Sequence, residues 1–313
     1  MQLLKIDKDN YIGQADPYII EHNGKYYIYT TGVDGIYGYS CSELLGDWKF
    51  EGRIFTVEGR ESFWAPSVIF LDGKFYMYFS FELYEDVPDK GGHHQAMHVA
   101  VADEPMGPFE LKGQIAHPFS IDSHIVKTDE GLFLFYSPNT FEGERIGTHI
   151  VVRKMKDPYT FDGEPKVVLL PSIDEEIFKR DRYKEGQHWH TLEGAFWFCE
   201  GDWQYLMYSG GRYEDETYFV GYAAAKTKEQ DLRKVDFRKM PDDETYAPLL
   251  RSNGWEEGTG HNSVIKVDGE YYCVYHARNT EDDGLVGDRR NARIAKMKVC
   301  DGKIEIERYP DHI

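Results

Sequence analysis

Asp16, Asp122, Glu193 and His261 occupy the same slot of a phrase that recurs along the chain, and Ala65 fills that slot in the remaining copy. The copies read ADPYIIEHNGKYYIYTT from Ala15, WAPSVIFLDGKFYMYFS from Trp64 and IDSHIVKTDEGLFLFYS from Ile121, then LEGAFWFCEGDWQYLMYSGG from Leu192 and GHNSVIKVDGEYYCVYHAR from Gly260. Counted from the slot, Tyr26, Phe75, Leu132, Trp203 and Tyr271 each stand ten residues on. Equivalent positions of repeated units occupy equivalent places in space, so three acids and an imidazole are expected to converge. Titratable groups gathered at one point are a mark of chemistry. Paired carboxylates beside a cleft are the minimal machinery for cleaving a glycosidic bond: one protonated to serve the leaving oxygen, the other ionised to take a proton from water. Like charges held close push one pKa upward, so a third carboxylate helps to keep the acid protonated near neutral pH.

The elements that must position these residues are hairpins. Each phrase is an apolar and aromatic run, a turn such as His22-Asn23-Gly24, Leu71-Asp72-Gly73 or Val267-Asp268-Gly269, and a second run. A further strand follows each hairpin, as in MHVAVADEPMGPFEL and NARIAKMKVCDGKIEIE. Slots 49 to 71 residues apart, with three or four antiparallel strands per unit, predict an all-β, five-bladed β-propeller. A β-sandwich is the alternative, but it gives no reason for one offset to hold five times. The repeats fill the chain without a linker, so residues 1–313 are read as a single domain. No long amphipathic helix is evident, and the polar stretch 225–240 reads as an outer loop with room for a turn or two of helix.

A formal charge of −19 argues against nucleic acid and anionic membranes as partners. The N-terminal MQLLKIDKDNYIGQ has neither a long apolar core nor a small-residue cleavage site, so a cytoplasmic location is expected. The four cysteines, Cys41, Cys199, Cys273 and Cys300, are far apart and read as reduced, mostly buried thiols. Tyr and Phe are abundant, 23 and 18 residues, which suits packed blades and sugar-stacking surfaces alike. Trp64, beside Ala65, is read as a flat apolar wall for a sugar ring. The segments 81–95 and 171–191 interrupt the repeat pattern and are expected to shape the pocket. Their histidines, His93, His94, His188 and His190, do not complete a zinc shell and read as solvated or substrate-contacting.

These motifs together resemble glycoside hydrolase family 43, five-bladed propeller enzymes that cleave arabinofuranosides and xylosides with inversion. The resemblance runs from A-D-P-Y to Y-H-A-R. It implies that Asp16 is the general base, that Asp122 in I-D-S-H orients the acid and raises its pKa, and that Glu193 in L-E-G-A is the general acid. It further implies that His261 in G-H-N-S helps to hold an axial calcium ion, mostly through water, and that Arg278 in Y-H-A-R contacts the sugar at the cleaved position. The expected function is an inverting, exo-acting α-L-arabinofuranosidase or β-D-xylosidase, or both, working on arabinose- or xylose-containing oligosaccharides from plant polysaccharide. An endo-arabinanase is the nearest alternative, and a non-catalytic carbohydrate-binding propeller is the alternative of another class. The oligomeric state is not legible in the sequence.

Overall fold

A computed structural model describes residues 2–3, 13–83, 94–280 and 289–308. The described chain is all-β, with five antiparallel-hairpin sheets in a propeller-like arrangement. Short runs rich in Tyr, Phe, Val and Ile, joined by tight turns of the Asn-Gly and Asp-Gly kind, favour strands throughout, and several, such as Lys74–Glu82 and Gln95–Ala102, are buried along nearly their whole length. The first two sheets run in chain order, through Tyr18–His22, Lys25–Thr30, Ile36–Cys41 and Lys49–Phe55, and then through Trp64–Leu71, Lys74–Glu82, Gln95–Ala102 and Glu110–Gln114. The third is built on Ser120–Thr128, Gly131–Thr140, Ile150–Asp157 and Thr160–Leu169 and is extended by the short strands Gly147–Thr148, Ile177–Lys179 and Trp189–His190. The fourth holds Leu192–Glu200, Trp203–Gly210, Phe219–Lys226 and Arg238–Lys239. In the fifth, Glu256–Val267, Glu270–Asn279, Asn291–Cys300 and Lys303–Ile306 are joined by the N-terminal Gln2–Leu3, which pairs with Ile294 and Arg293.

Five hydrophobic clusters lie between neighbouring sheets. Tyr29 and Phe79 join the first to the second, Tyr78 and Leu134 the second to the third, and Phe133 and Leu206 the third to the fourth. Tyr205 and Tyr275 join the fourth to the fifth, and Val274 and Tyr39 bring the fifth against the first. Each sheet is thus apolar on both faces, and the last packs on the first. Ser263 stitches that closure: its hydroxyl donates to the Pro17 carbonyl at 2.7 Å and accepts from the Ile19 N–H at 3.1 Å.

The stretch 225–240 contributes one short 3-10 turn, Leu232–Lys234, with Asp231 accepting from the Arg233 N–H. All four cysteines are free, but Cys199 and Cys300 are exposed, so burial holds only for Cys41 and Cys273. Of the segment 81–95, positions 84–93, His93 among them, lie outside the described residues. No helix among the described residues is long and apolar enough to cross a membrane.

Candidate active site

The repeated slot is a bulge. In four sheets the innermost strand breaks register with its partner at Ala65, Asp122, Gly194 or His261, between the pairs Trp64/Ser67, Ile121/His124, Glu193/Phe196 and Gly260/Ser263. These residues and Asp16 share a left-handed backbone, with φ of 53° at Asp16, 46° at Ala65, 61° at Asp122, 61° at Gly194 and 45° at His261. Positive φ at a non-glycine residue costs energy and clusters at functional sites. Each stands six residues before the last pair of its hairpin, at His22, Leu71, Thr128, Glu200 and Val267.

Glu193 is therefore one residue off the expected register. Its true equivalents are Ala15, Trp64, Ile121 and Gly260, and Gly194 holds the slot. The count was displaced by Trp203, which opens its returning strand opposite Glu200, whereas Tyr26, Phe75, Leu132 and Tyr271 stand second in theirs. Two rings of positions result. The inner ring carries Asp16, Asp122 and His261, and the neighbouring ring supplies Trp64 and Glu193. All five residues line one pocket of about 330 Å³. Glycine suits 194 on two counts: it adopts the positive φ without the strain that the other slot residues bear, and a Cβ there would stand a tight 3.2 Å from the His261 ring.

Asp16 is held from several sides. Thr31 Oγ1 donates to its Oδ2 at 2.5 Å and itself accepts from the Ala65 N–H at 2.8 Å. Its own N–H donates to His276 Nδ1 at 3.1 Å. Arg290 Nη1 lies 3.4 Å from Oδ1. Burial alone would raise the Asp16 pKa, but His261, Arg290 and His276 outweigh it and hold the carboxyl well below its ordinary range. Both histidines are themselves lowered by burial, His276 to about 4. They are neutral near pH 7, so Arg290 is the lasting positive charge beside Asp16.

The other two acids shift the opposite way. Burial, with the charge of Asp16, pushes Glu193 up to about 7, against the pull of a hydrogen bond from the Tyr218 hydroxyl to Oε1 at 2.7 Å and of Arg290. Asp122 is raised by burial first and then by Glu193 and Asp16, although its Oδ2 accepts from the Gly194 N–H at 3.1 Å. Three carboxyl groups in one buried pocket cannot all ionise. The charge rests on Asp16, and protonation falls on the Asp122–Glu193 pair.

His261 reaches the axis, with Nδ1 3.4 Å from Asp16 Oδ1 and 3.7 Å from Asp122 Oδ2. Among the described residues no three His, Cys, Asp or Glu side chains are grouped to hold a metal ion. Calcium needs six to eight oxygen ligands, and one imidazole directed at two carboxylates does not fit a protein-built calcium shell. Trp64 lines the pocket as expected. Arg278 is not among the lining residues: its Nε donates to Glu257 at 3.1 Å and its Nη1 to the Tyr213 carbonyl at 2.6 Å, while its buried Nη2 has no hydrogen-bond partner among the described residues. The arginine of the pocket that stands beside Asp16 is Arg290, which lies outside every repeat phrase and so gave no signal by count. The segment 171–191 does shape the pocket, through Phe178, Arg182 and Trp189. Its histidines are structural: His188 Nδ1 accepts from the Asp181 N–H at 3.0 Å, and buried His190 meets Arg145 at 2.9 Å.

Comparison with known proteins gives concordant results. The sequence profile described as glycosyl hydrolases family 43 matches residues 11–304. An extracellular exo-α-(1→5)-L-arabinofuranosidase of Streptomyces avermitilis is 28% identical over 91% of this chain, which spans only 59% of that relative's length. An extracellular exo-α-(1→5)-L-arabinofuranosidase of Cellvibrio japonicus is 26% identical over 86% of this chain and 80% of its own. The crystal structure of a thermostable family-43 glycoside hydrolase superimposes with a TM-score of 0.76 at 28% identity, over 95% of this chain and 93% of its own. The expected cytoplasmic location is overturned here, since both relatives are named extracellular.

Proposed function

Because this chain belongs to family 43 of the glycosyl hydrolases, we propose that it is an inverting, exo-acting glycosidase. It removes terminal pentose, as an α-L-arabinofuranosidase, a β-D-xylosidase or both, from arabinose- or xylose-containing oligosaccharides. The observation that carries this reading is the split among its buried carboxyls: Asp16 is held ionised while Glu193 is pushed up to about 7 in the same pocket. Asp16 takes a proton from water, and the water oxygen bonds to the anomeric carbon as the bond to the leaving oxygen breaks. Glu193 delivers its proton to that oxygen. Asp122 accepts from the Gly194 N–H at 3.1 Å, which holds the Glu193–Gly194 backbone in place and so orients the acid. Trp64 walls the sugar, and Arg290, beside Asp16, supplies the guanidinium for its hydroxyls.

The small pocket supports the exo reading, being at the lower end of ligand-site volumes. The names of the two arabinofuranosidase relatives put arabinose before xylose as the expected sugar. Five sheets, each built on one repeat, with the fifth packed on the first, support one five-bladed ring across residues 1–313. The test is hydrolysis of phenyl α-L-arabinofuranoside beside phenyl β-D-xyloside, whose leaving group needs a proton, with Glu193→Ala as control. Turnover of either substrate that is lost in the variant is the expected result. No turnover of both short substrates, with release of oligosaccharides from arabinan, would replace the exo reading by an endo one. Sugar binding without turnover of any glycoside would make the chain a binding module.

A further inference from the structure

Two buried rings, one of which, Tyr218, also lines the pocket, link Glu193 to Asp16. Tyr218 and His276, 1% and 0% exposed, stack with centroids 5.8 Å apart and planes within 8°. At one end the Tyr218 hydroxyl donates to Glu193 Oε1 at 2.7 Å. At the other, His276 Nδ1 accepts the Asp16 N–H at 3.1 Å. The innermost strand of the fifth sheet makes room for this stack with Gly260, where a Cβ would lie 1.8 Å from the Tyr218 ring.

We propose that Tyr218 is a positioning residue for the acid, fixing which oxygen of Glu193 carries the transferable proton. This rests on Glu193 being the acid. The Tyr218 O–H occupies Oε1, so the carboxylic proton sits on Oε2. During reaction the Oε2–H bond breaks and an O–H bond forms on the leaving oxygen, which keeps the electron pair of the broken glycosidic bond. Tyr218 keeps its own proton, because burial and then the charge of Glu193 raise its pKa well above 10. As Glu193 becomes a carboxylate, the bond from Tyr218 becomes charge-assisted and strengthens. It therefore favours the transition state over the bound ground state.

Such a role matters in proportion to how much the leaving group needs a proton. A merely structural tyrosine would lower all substrates alike. The experiment compares wild type and Tyr218→Phe on phenyl and dinitrophenyl glycosides of whichever pentose the wild type hydrolyses. The expected result is a kcat lower by about 10- to 100-fold on the phenyl glycoside and by less than about threefold on the dinitrophenyl one, with KM little changed, within the range general acid catalysis contributes. Gly260→Ala, which keeps the hydroxyl but displaces the ring, should show the same leaving-group dependence and stands in if Tyr218→Phe does not fold. Equal losses on both glycosides in the folded variant would overturn the proposal. Glu193→Ala is run alongside: failure of that variant to show leaving-group dependence would instead remove the acid assignment.

Discussion

Asp16 and Glu193 meet opposite surroundings within one pocket, and the difference is set by a few neighbours. Arg290 and Thr31 favour the charged form of Asp16, while burial and the charge of Asp16 favour the protonated form of Glu193. A general acid works only while protonated, so kcat/KM should fall as pH rises through about 7. The base is depressed, so the acid-side limb should lie below the ordinary carboxylate range. A pH–rate profile checks both limbs. The same shift bears on stability. Glu193 binds its proton more tightly folded than unfolded, so the fold loses stability as pH rises from the ordinary value of 4.5 through about 7. Glu193→Gln cannot ionise and should be inactive yet more heat-stable than wild type at about pH 8, with little gain at about pH 4. Equal melting temperatures at about pH 8 would remove the buried-acid reading. Asp16 and Asp122 were legible because they sit in the repeated slot itself, six residues before the last pair of their hairpins. Glu193 was found by a count displaced by one residue, and Arg290 and Tyr218 escaped because they lie outside the matched slots.

At the scale of elements, the bulges aim the acids and an inserted segment closes the pocket around them. Gly194 shows how tightly the inner ring is packed. Gly194→Ala would place a side chain at φ 61° and against His261. It should cost about 1–2 kcal/mol of stability from the backbone alone and lower kcat further by shifting the Glu193 backbone. Thermal melts and kinetics on one preparation would separate the two effects. The segment 171–191 is anchored by a buried ion pair between Glu176 and Lys239, 0% and 4% exposed at their side chains. Glu176 Oε2 also accepts from the N–H groups of Ser172, at 2.6 Å, and Ile173, at 3.2 Å. Removing one partner strands a buried charge, so Lys239→Met should cost about 3–5 kcal/mol. Because Phe178 and Trp189 ride on this segment, KM should rise as well. An unchanged KM in the destabilised variant would show that the segment does not hold substrate. The segment announced itself by interrupting the repeats, but its anchor did not, since Glu176 and Lys239 meet only after two sheets have formed.

Over the whole molecule, the last sheet packs against the first. Each sheet buries both faces against its neighbours, and the fifth meets the first through Val274, Tyr39 and the bonds of Ser263. Ser263→Val would remove two of the bonds that stitch the ends and leave the buried Ile19 N–H without its partner. A loss of about 1–3 kcal/mol is expected, read as an earlier denaturant midpoint in a single transition. A separate early transition would mean that the ends open independently of the ring. The repeated hairpins made an all-β, propeller-like arrangement legible, although the count slipped by one residue in the fourth copy. Location was not legible in the same way, and the relatives corrected it. The central claim is that Asp16 drives one direct attack of water while Glu193 serves the leaving oxygen. The most direct test is proton NMR of the sugar during the first turnovers of an aryl glycoside, with Asp16→Ala as control. The account predicts that the inverted anomer appears first and that the variant releases none. First appearance of the retained anomer, or near-normal turnover by Asp16→Ala, would contradict it.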